Sequence, residues 1–215
     1  TLGQDSSILG TWVVVTPPQG KAVADRLAEE LAKRGGRPRI WEAGSDSAAM
    51  AEACRGLDET LRGVISLCAW DESIGEHVPK GFLSLMALLQ GIDEASLEVP
   101  IWFLTAGAVR ASEDDLVPHP MQALYWGGGR VLGLEQPRRW GGVVDLCLEP
   151  SRGDWATLFE TVLPNSKEDQ VALRDGKALV RRLIRTAPPA LDSGWKPSGT
   201  ILITGGTGAL GAHSA

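Results

Sequence analysis

Short apolar runs alternate with longer amphipathic segments along most of this chain. Five of the runs have the length of β-strands, and most are apolar throughout, as strands covered on both faces are. They span residues 11–16, 39–43, 63–69, 101–106 and 142–148. The alternation is typical of repeated βα units and therefore predicts an α/β fold, a mostly parallel sheet flanked by helices.

The segments between these runs have helical periodicity. They predict helices over residues 21–34, 47–61, 80–95, 118–132 and 155–163. Gly35 and Gly36 are suited to end the first helix in the left-handed conformation, and Ser47 is a candidate N-cap for the second. Gly127, Gly128 and Gly129 resemble a phosphate loop, but they lie inside a predicted helix, which favours close packing or a local break instead.

The character of the sequence changes after Pro164. Residues 170–173 and 178–184 flank Asp175-Gly176, a turn signal that predicts a C-terminal β-hairpin. Residues 186–199 are rich in Pro, Gly and Ser and predict a linker. An apolar run at 200–203 then predicts the first strand of a new βα unit. The predicted organisation is a domain over 1–185, a linker over 186–199 and the start of a second domain over 200–215.

A glycine-rich loop follows the strand predicted at 200–203 and fits the pattern GxGxxG. In dinucleotide-binding folds these glycines allow a tight turn and close approach of the backbone to pyrophosphate. The candidate cofactor-binding residues are Gly205, Gly206, Thr207, Gly208, Leu210 and Gly211. The sequence ends four residues later, before the ribose-binding residue expected about 20 residues further on. We therefore expect the front part of a larger enzyme.

The turn after the first predicted strand lacks such a loop. It reads Thr16-Pro17-Pro18-Gln19-Gly20, in which the prolines have no N–H to offer a phosphate. His77, His119 and His213 are isolated from one another and from the cysteines, so we predict no metal site. Acidic residues that follow the third and fourth predicted strands are interpreted as loop charges and caps; they are Asp71, Glu72, Glu113, Asp114 and Asp115.

Charge and composition narrow the class of protein. The net charge is −6 and the basic residues are scattered, so the sequence does not favour nucleic-acid binding. Three widely spaced cysteines, Cys54, Cys68 and Cys147, indicate a reducing compartment. No apolar stretch approaches the roughly 18 residues of a membrane span, and the N-terminus lacks signal-peptide features. We expect a cytoplasmic protein.

Several segments carry a family resemblance. They are residues 123–137, ALYWGGGRVLGLEQP; 139–146, RWGGVVDL; 169–174, DQVALR; 181–183, RRL; and 204–211, TGGTGALG. In this combination the chain resembles the ketoreductase region of modular type I polyketide synthases over nearly its whole length. The resemblance implies a Rossmann-like, short-chain-reductase-like fold over residues up to about 185, as a structural subdomain that has lost cofactor binding. It also implies that the glycine loop begins the NADPH site of a catalytic subdomain.

The family reduces a β-ketoacyl group, held as a thioester on an acyl carrier protein, with NADPH and a Ser, Tyr, Lys and Asn set. No residue here matches that catalytic set, because the only tyrosine, Tyr125, lies in the structural half and is followed by Trp126 and glycines. The implied partners are the catalytic subdomain, the acyl carrier protein and other domains of the module. The chain also runs from the linker directly to Thr200, without the enoyl reductase that some modules insert there.

These observations predict a scaffold that is inactive by itself and binds no NADPH usefully, because one turn of helix is unstable alone. Two alternatives remain open. The chain could be one half of a split reductase, or it could self-associate through the strand predicted at 200–203. Trp126 and Trp140 flank the most diagnostic segment, and we predict that they form part of the surface on which the catalytic half docks.

Overall fold

The computed structural model describes residues 8–57, 61–163, 168–186 and 198–214. The chain divides into two units, Thr1–Arg181 and Arg182–Ala215. The first contains a seven-stranded sheet with the strand order β2-β1-β3-β4-β5-β6-β7. Its strands are β1 Gly10–Thr16, β2 Gly36–Glu42, β3 Leu61–Ser66, β4 Ile101–Ala106, β5 Trp140–Leu146, β6 Gln170–Arg174 and β7 Lys177–Val180. All neighbouring pairs are parallel except β6 and β7. The predicted fold class, Rossmann-like with a C-terminal hairpin, is therefore confirmed.

Helices cover both faces of this sheet. They are α1 Lys21–Lys33, α2 Ser47–Arg55, α3 Lys80–Glu94, α4 Ala123–Glu135 and α5 Arg152–Thr157, the last continued by a π-helical segment Leu158–Val162. Alternate residues of a strand point to opposite faces, which divides the core in two. Val14 packs with α1 and the α5 segment, whereas Val13 and Val15 pack with α2, α3 and α4.

Local sequence explains where several elements begin and end. Gly35 ends α1 with a φ of 87°, as predicted, while Gly36 begins β2. Asp175 and Gly176 have φ values of 51° and 72°, the geometry of a two-residue hairpin turn. Ser151 begins α5 with a capping box, since its side chain accepts from the Asp154 N–H at 3.1 Å while Asp154 accepts from the Ser151 N–H at 2.8 Å.

Some boundaries differ from the sequence predictions. The N-cap of α2 is Asp46 and not Ser47, because the Asp46 carboxylate accepts from two N–H groups of the first turn. The helix predicted over 47–61 ends at Arg55, with Gly56 following it, and residues 58–60 lie outside the described chain. The helix predicted from residue 118 begins as a 3-10 turn at Pro120–Gln122. The strand predicted over 63–69 ends at Ser66, before a 3-10 turn at Cys68–Trp70.

The second unit contains the glycine loop and a short helix α6, Ala209–Ser214. The structure assigns no strand to residues 200–203, where the sequence predicts one. A strand is defined by pairing with a neighbour, and the described part of this unit contains no second strand for this run. Residues 187–197 of the predicted linker lie outside the described chain.

Candidate functional site

The order of the strands places a topological switch point between the carboxyl ends of β1 and β3, where α/β sheets commonly bind nucleotides. Here the β1–α1 turn is a 3-10 turn that begins at Pro18. The Gly20 N–H donates to the Pro17 carbonyl at 3.0 Å, so this donor is used within the turn. A Cβ added at Gly20 would lie 2.6 Å from Thr16 Oγ1 and 3.4 Å from Trp70. The Gly20 N–H and the space beside Gly20 are therefore both used by contacts within the domain, and the turn offers no glycine cradle for a phosphate.

The carboxyl ends of β4 and β5 are occupied by a charged network. Asp145, on β5, is fully buried, and its carboxylate accepts hydrogen bonds from Thr105 Oγ1 at 2.7 Å and the Ala108 N–H at 2.9 Å. Arg174, at the end of β6, donates from Nη2 to the same carboxylate at 2.7 Å. Its Nε donates to Asp115 at 2.9 Å. Arg174 thus ties the loop after β4 to the hairpin.

The contacts within this network lower the pKa of Asp115 and raise the pKa of Arg174. Burial raises the pKa of Asp115, but hydrogen bonds from the Ala111 N–H, the Ser112 hydroxyl and Arg174 outweigh it and hold that pKa below its ordinary value of 3.8. Burial lowers the pKa of Arg174, but its bonds to Asp145 and Asp115 outweigh burial and leave the pKa raised. Both charges are therefore maintained across the physiological pH range.

The only tyrosine of the chain is buried in the packing between α3 and α4. Tyr125 is 2% exposed, and its hydroxyl has no hydrogen-bond partner among the described residues. Burial raises the pKa of this hydroxyl far above its ordinary value of 10. The ring packs edge-to-face on Phe82, with 5.8 Å between the ring centroids. A catalytic proton donor must reach its substrate, and this group lies inside the core.

The glycine loop of the second unit has a compact turn. Gly205 has a φ of 72°, and the Gly208 N–H donates to its carbonyl at 2.8 Å. A Cβ added at Gly211 would collide with the Gly205 carbonyl and with Gly206 Cα. The first turn of α6 therefore packs against the loop in a way that only glycine allows at position 211. This close approach fits the third glycine of a dinucleotide loop.

The candidate residues of the loop are brought together at the start of α6. Gly205, Gly206, Thr207 and Gly208 form the turn, and Leu210 and Gly211 lie in the first turn of the helix. Leu210 is exposed. The Gly206 and Gly208 N–H groups donate within the turn, to the Ile203 and Gly205 carbonyls, and the candidate set contains no charged side chain.

Helix α4 is apolar on more than its buried face. Tyr125, Gly129 and Leu132 face the core, yet Leu124, Val131 and Leu134 are 39%, 52% and 84% exposed. Leu83, on the neighbouring helix α3, is 43% exposed. We call these four exposed side chains, Leu83, Leu124, Val131 and Leu134, the helical face. A helix that is apolar on several sides is normally covered on several sides.

Trp126 and Trp140, the two tryptophans predicted to form a docking surface, are not part of the helical face. The prediction is wrong for Trp126, which is 5% exposed and donates from its indole N–H to Thr105 Oγ1 at 3.2 Å. Trp140 is half-buried, packs edge-to-face on Phe103 and donates to Asp169 at 2.8 Å. Both rings stabilise the packing of α4 and β5, and the docking role of Trp140, which keeps part of its surface exposed, stays a prediction.

Some polar residues have closer partners than the sequence indicated. Glu72 accepts from His119 Nδ1 at 2.7 Å and from Gln122 Nε2 at 2.9 Å, so His119 has a side-chain partner although it is 41% exposed. Asp115 was interpreted as a loop charge, but its side chain is 13% exposed and belongs to the Arg174 network.

Within the described ranges, no group of three or more His, Cys, Asp or Glu side chains is placed to hold a metal ion. No helix in those ranges is long and apolar enough to cross a membrane.

A family model and two relatives that match this chain all come from polyketide synthases. Residues 11–183 match the family described as the Rossmann fold domain of the polyketide synthase extender module SpnB. Erythronolide synthase EryA3 of Saccharopolyspora erythraea is 40% identical over 191 residues, which cover 89% of this chain and 6% of that synthase. Polyketide synthase GfsA of Streptomyces halstedii is also 40% identical, over 98% of this chain and 3% of its own length.

Solved structures agree with these relatives. A C2-type ketoreductase from a modular polyketide synthase superimposes with a TM-score of 0.77 at 34% identity, covering 84% of this chain and 42% of that chain. An A-type ketoreductase from a modular polyketide synthase gives a TM-score of 0.76 at 35% identity, over 87% and 41% of the two chains. The chain spans less than a tenth of the synthases and less than half of each ketoreductase.

Proposed function

The chain belongs to the Rossmann fold domain family of polyketide synthase extender modules, and we propose that it is the structural subdomain of a ketoreductase. Its role is to scaffold a catalytic half that reduces a β-ketoacyl thioester on an acyl carrier protein. The observation that carries this proposal is the turn at the switch point, where Pro17 and Pro18 have no N–H for a phosphate and the Gly20 N–H donates to the Pro17 carbonyl. A Rossmann-like domain whose first turn cannot bind a phosphate can still serve as a rigid support for another domain.

The helical face supports a partner that packs on α3 and α4. Leu83, Leu124, Val131 and Leu134 are exposed apolar side chains on adjacent helices, and burying them would gain about 25 cal/mol per Å² of apolar area. We propose that the catalytic half covers this face. Packing there would hold that half in place, and displacements near 1 Å in an active site cost about a hundredfold in rate.

The glycine loop fits the start of a cofactor site, because Gly205 and Gly211 permit the tight turn that pyrophosphate requires. We propose that NADPH, which supplies the hydride, is bound there by the backbone of the loop in the assembled ketoreductase. The loop and the short α6 alone give no useful affinity, since a helix of six residues is marginal in isolation. The free cysteines Cys54, Cys68 and Cys147 support a cytoplasmic location.

Calorimetric titration of NADPH into the 215-residue chain tests the scaffold role. We expect no detectable heat, whereas a complete polyketide synthase ketoreductase titrated in parallel should bind. The buried Tyr125 predicts in addition that the chain does not reduce a β-ketoacyl thioester. Saturable binding at micromolar NADPH, or reduction of the thioester, would overturn the proposal.

A pair of variants tests the helical face in a ketoreductase that contains this chain. Val131→Glu places a charge in the proposed contact and should lower activity about a hundredfold by displacing the catalytic half. Leu116→Glu is the matched control, because Leu116 is an exposed leucine outside the helical face, 82% exposed in the loop after β4. Equal activities of the two variants would exclude this face as the contact.

A further inference from the structure

A groove lies between α4 and the β6–β7 hairpin, with a volume of about 620 Å³. Its floor and walls are small or apolar, with Ala123, Gly127, Ala172, Leu179 and Val180 among them. The residues of α4 that line it run from Ala123 to Arg130, so the groove is about 10 Å long at 1.5 Å of rise per residue. We call it the hairpin groove.

Three arginines stand at the rim of the hairpin groove: Arg110, Arg130 and Arg181. No Asp or Glu is among the described residues that line it. The chain as a whole carries a net charge of −6, so this local excess of positive charge runs against the composition. A surface with such a local excess attracts a partner of the opposite charge.

Two of these guanidinium groups are held side by side by one neutral acceptor. Arg130 Nε and Arg181 Nη1 both donate to Gln170 Oε1, at 3.1 Å and 3.3 Å. Arg110 donates to the backbone carbonyls of Ser112 and Glu113. These acceptors orient Arg110 and Arg130 without neutralising them. A guanidinium has five N–H donors, so Arg110 and Arg130 each keep donors for a carboxylate.

We propose that the hairpin groove binds an acidic segment of a partner protein, whose apolar side chains pack on the groove floor and whose carboxylates accept hydrogen bonds from Arg110 and Arg130. Among the described residues, the groove shares no lining residue with the β1–α1 turn or with the glycine loop. All three arginines are exposed at the rim of an open groove, an arrangement typical of protein contacts, in which arginine is enriched and rim charges guide association. An enclosed site for a small anion would instead bury its charged groups.

The test measures binding of a fluorescein-labelled eight-residue peptide of alternating leucine and glutamate to the 215-residue chain by fluorescence anisotropy. The control peptide has glutamine in place of every glutamate. We expect the acidic peptide to bind about tenfold more tightly, because charge-assisted hydrogen bonds contribute more than neutral ones. Equal affinity for the two peptides would overturn the proposal.

Two arginine variants locate the binding. Arg130→Gln should weaken the acidic peptide about tenfold, whereas Arg138→Gln should leave it unchanged, because Arg138 is paired with Glu98 outside the groove. Circular dichroism of both variants establishes that they are folded. Equal losses of peptide affinity in the two variants would indicate a non-specific attraction between charges and would overturn the proposal. Competition by inorganic phosphate at the peptide's own concentration would indicate a small-anion site and would also overturn it.

Discussion

Replacing Arg174 by methionine tests whether the charged network at the ends of β4 and β5 holds the domain together. The substitution keeps an unbranched apolar stem but removes a cation that makes bonds to Asp145 and Asp115. Asp145 is fully buried, so its carboxylate would lose its counter-ion in a place that water does not reach. Removing one partner of a buried ion pair costs about 3–5 kcal/mol, against a total stability of about 5–15 kcal/mol for a domain.

Urea unfolding followed by tryptophan fluorescence measures this cost, since the chain has eight tryptophans. We expect Arg174→Met to lower the free energy of unfolding by about 3–5 kcal/mol. Arg138→Met is the control, because Arg138 is 81% exposed and its pair with Glu98 contributes at most about 1 kcal/mol. Adding Asp145→Asn to Arg174→Met should recover at least about 1 kcal/mol, since the amide has no charge to compensate. A loss below about 1 kcal/mol in Arg174→Met would refute the reasoning.

Two further predictions concern packing and acid stability. Gly129→Ala should destabilise the domain by about 1–3 kcal/mol in the same urea assay, because its Cβ would lie 2.5 Å from the Trp140 ring. Gly127→Ala is the control and should be neutral or stabilising by up to about 1 kcal/mol, because a Cβ there would meet no atom of the described chain within 4 Å. A larger loss of stability in Gly127→Ala than in Gly129→Ala would contradict the packing argument. The pKa values of Asp115 and Asp154 are lowered on folding, so their contribution is complete above the ordinary value of 3.8 and is lost as pH falls through the folded values. Urea midpoints should therefore hold between pH 7 and about 5 and fall below about 4, and a midpoint that rises on acidification would contradict this sign.

The sequence predicted the elements of the sheet well because each has a local signal. The strand Ile101–Ala106 was predicted with both of its ends, since a continuous apolar run is bounded by a proline and a glycine. The hairpin followed from Asp175-Gly176, which favours a turn with positive φ whatever the surrounding fold. The interpretation of Gly129 as a packing residue within a helix was also correct, because it lies under Trp140.

Contacts between residues distant in the chain were not predictable in the same way. Arg174 bonds to residues 29 and 59 positions away, and neither periodicity nor spacing contains that information. One local signal was present, because Asp145 interrupts an apolar strand, and a buried carboxylate requires a partner. That signal predicts that a partner exists without saying which residue it is. The same limit explains the strand predicted at residues 200–203, because an apolar run becomes a strand only where a neighbour can pair with it.

The two βα turns of this chain show how a nucleotide-binding plan can become a structural one. The first turn has Pro17 and Pro18, which lack an N–H, whereas the second has Gly205 and Gly211, which allow a tight turn and close packing of the helix on the loop. At the carboxyl ends of β4 and β5, likewise, Arg174 donates a hydrogen bond to the buried Asp145 carboxylate. In a nucleotide-binding sheet these positions keep unsatisfied donors that a ligand completes. Here the domain satisfies them itself, so interactions that would otherwise favour a bound ligand favour the folded state even when no ligand is present.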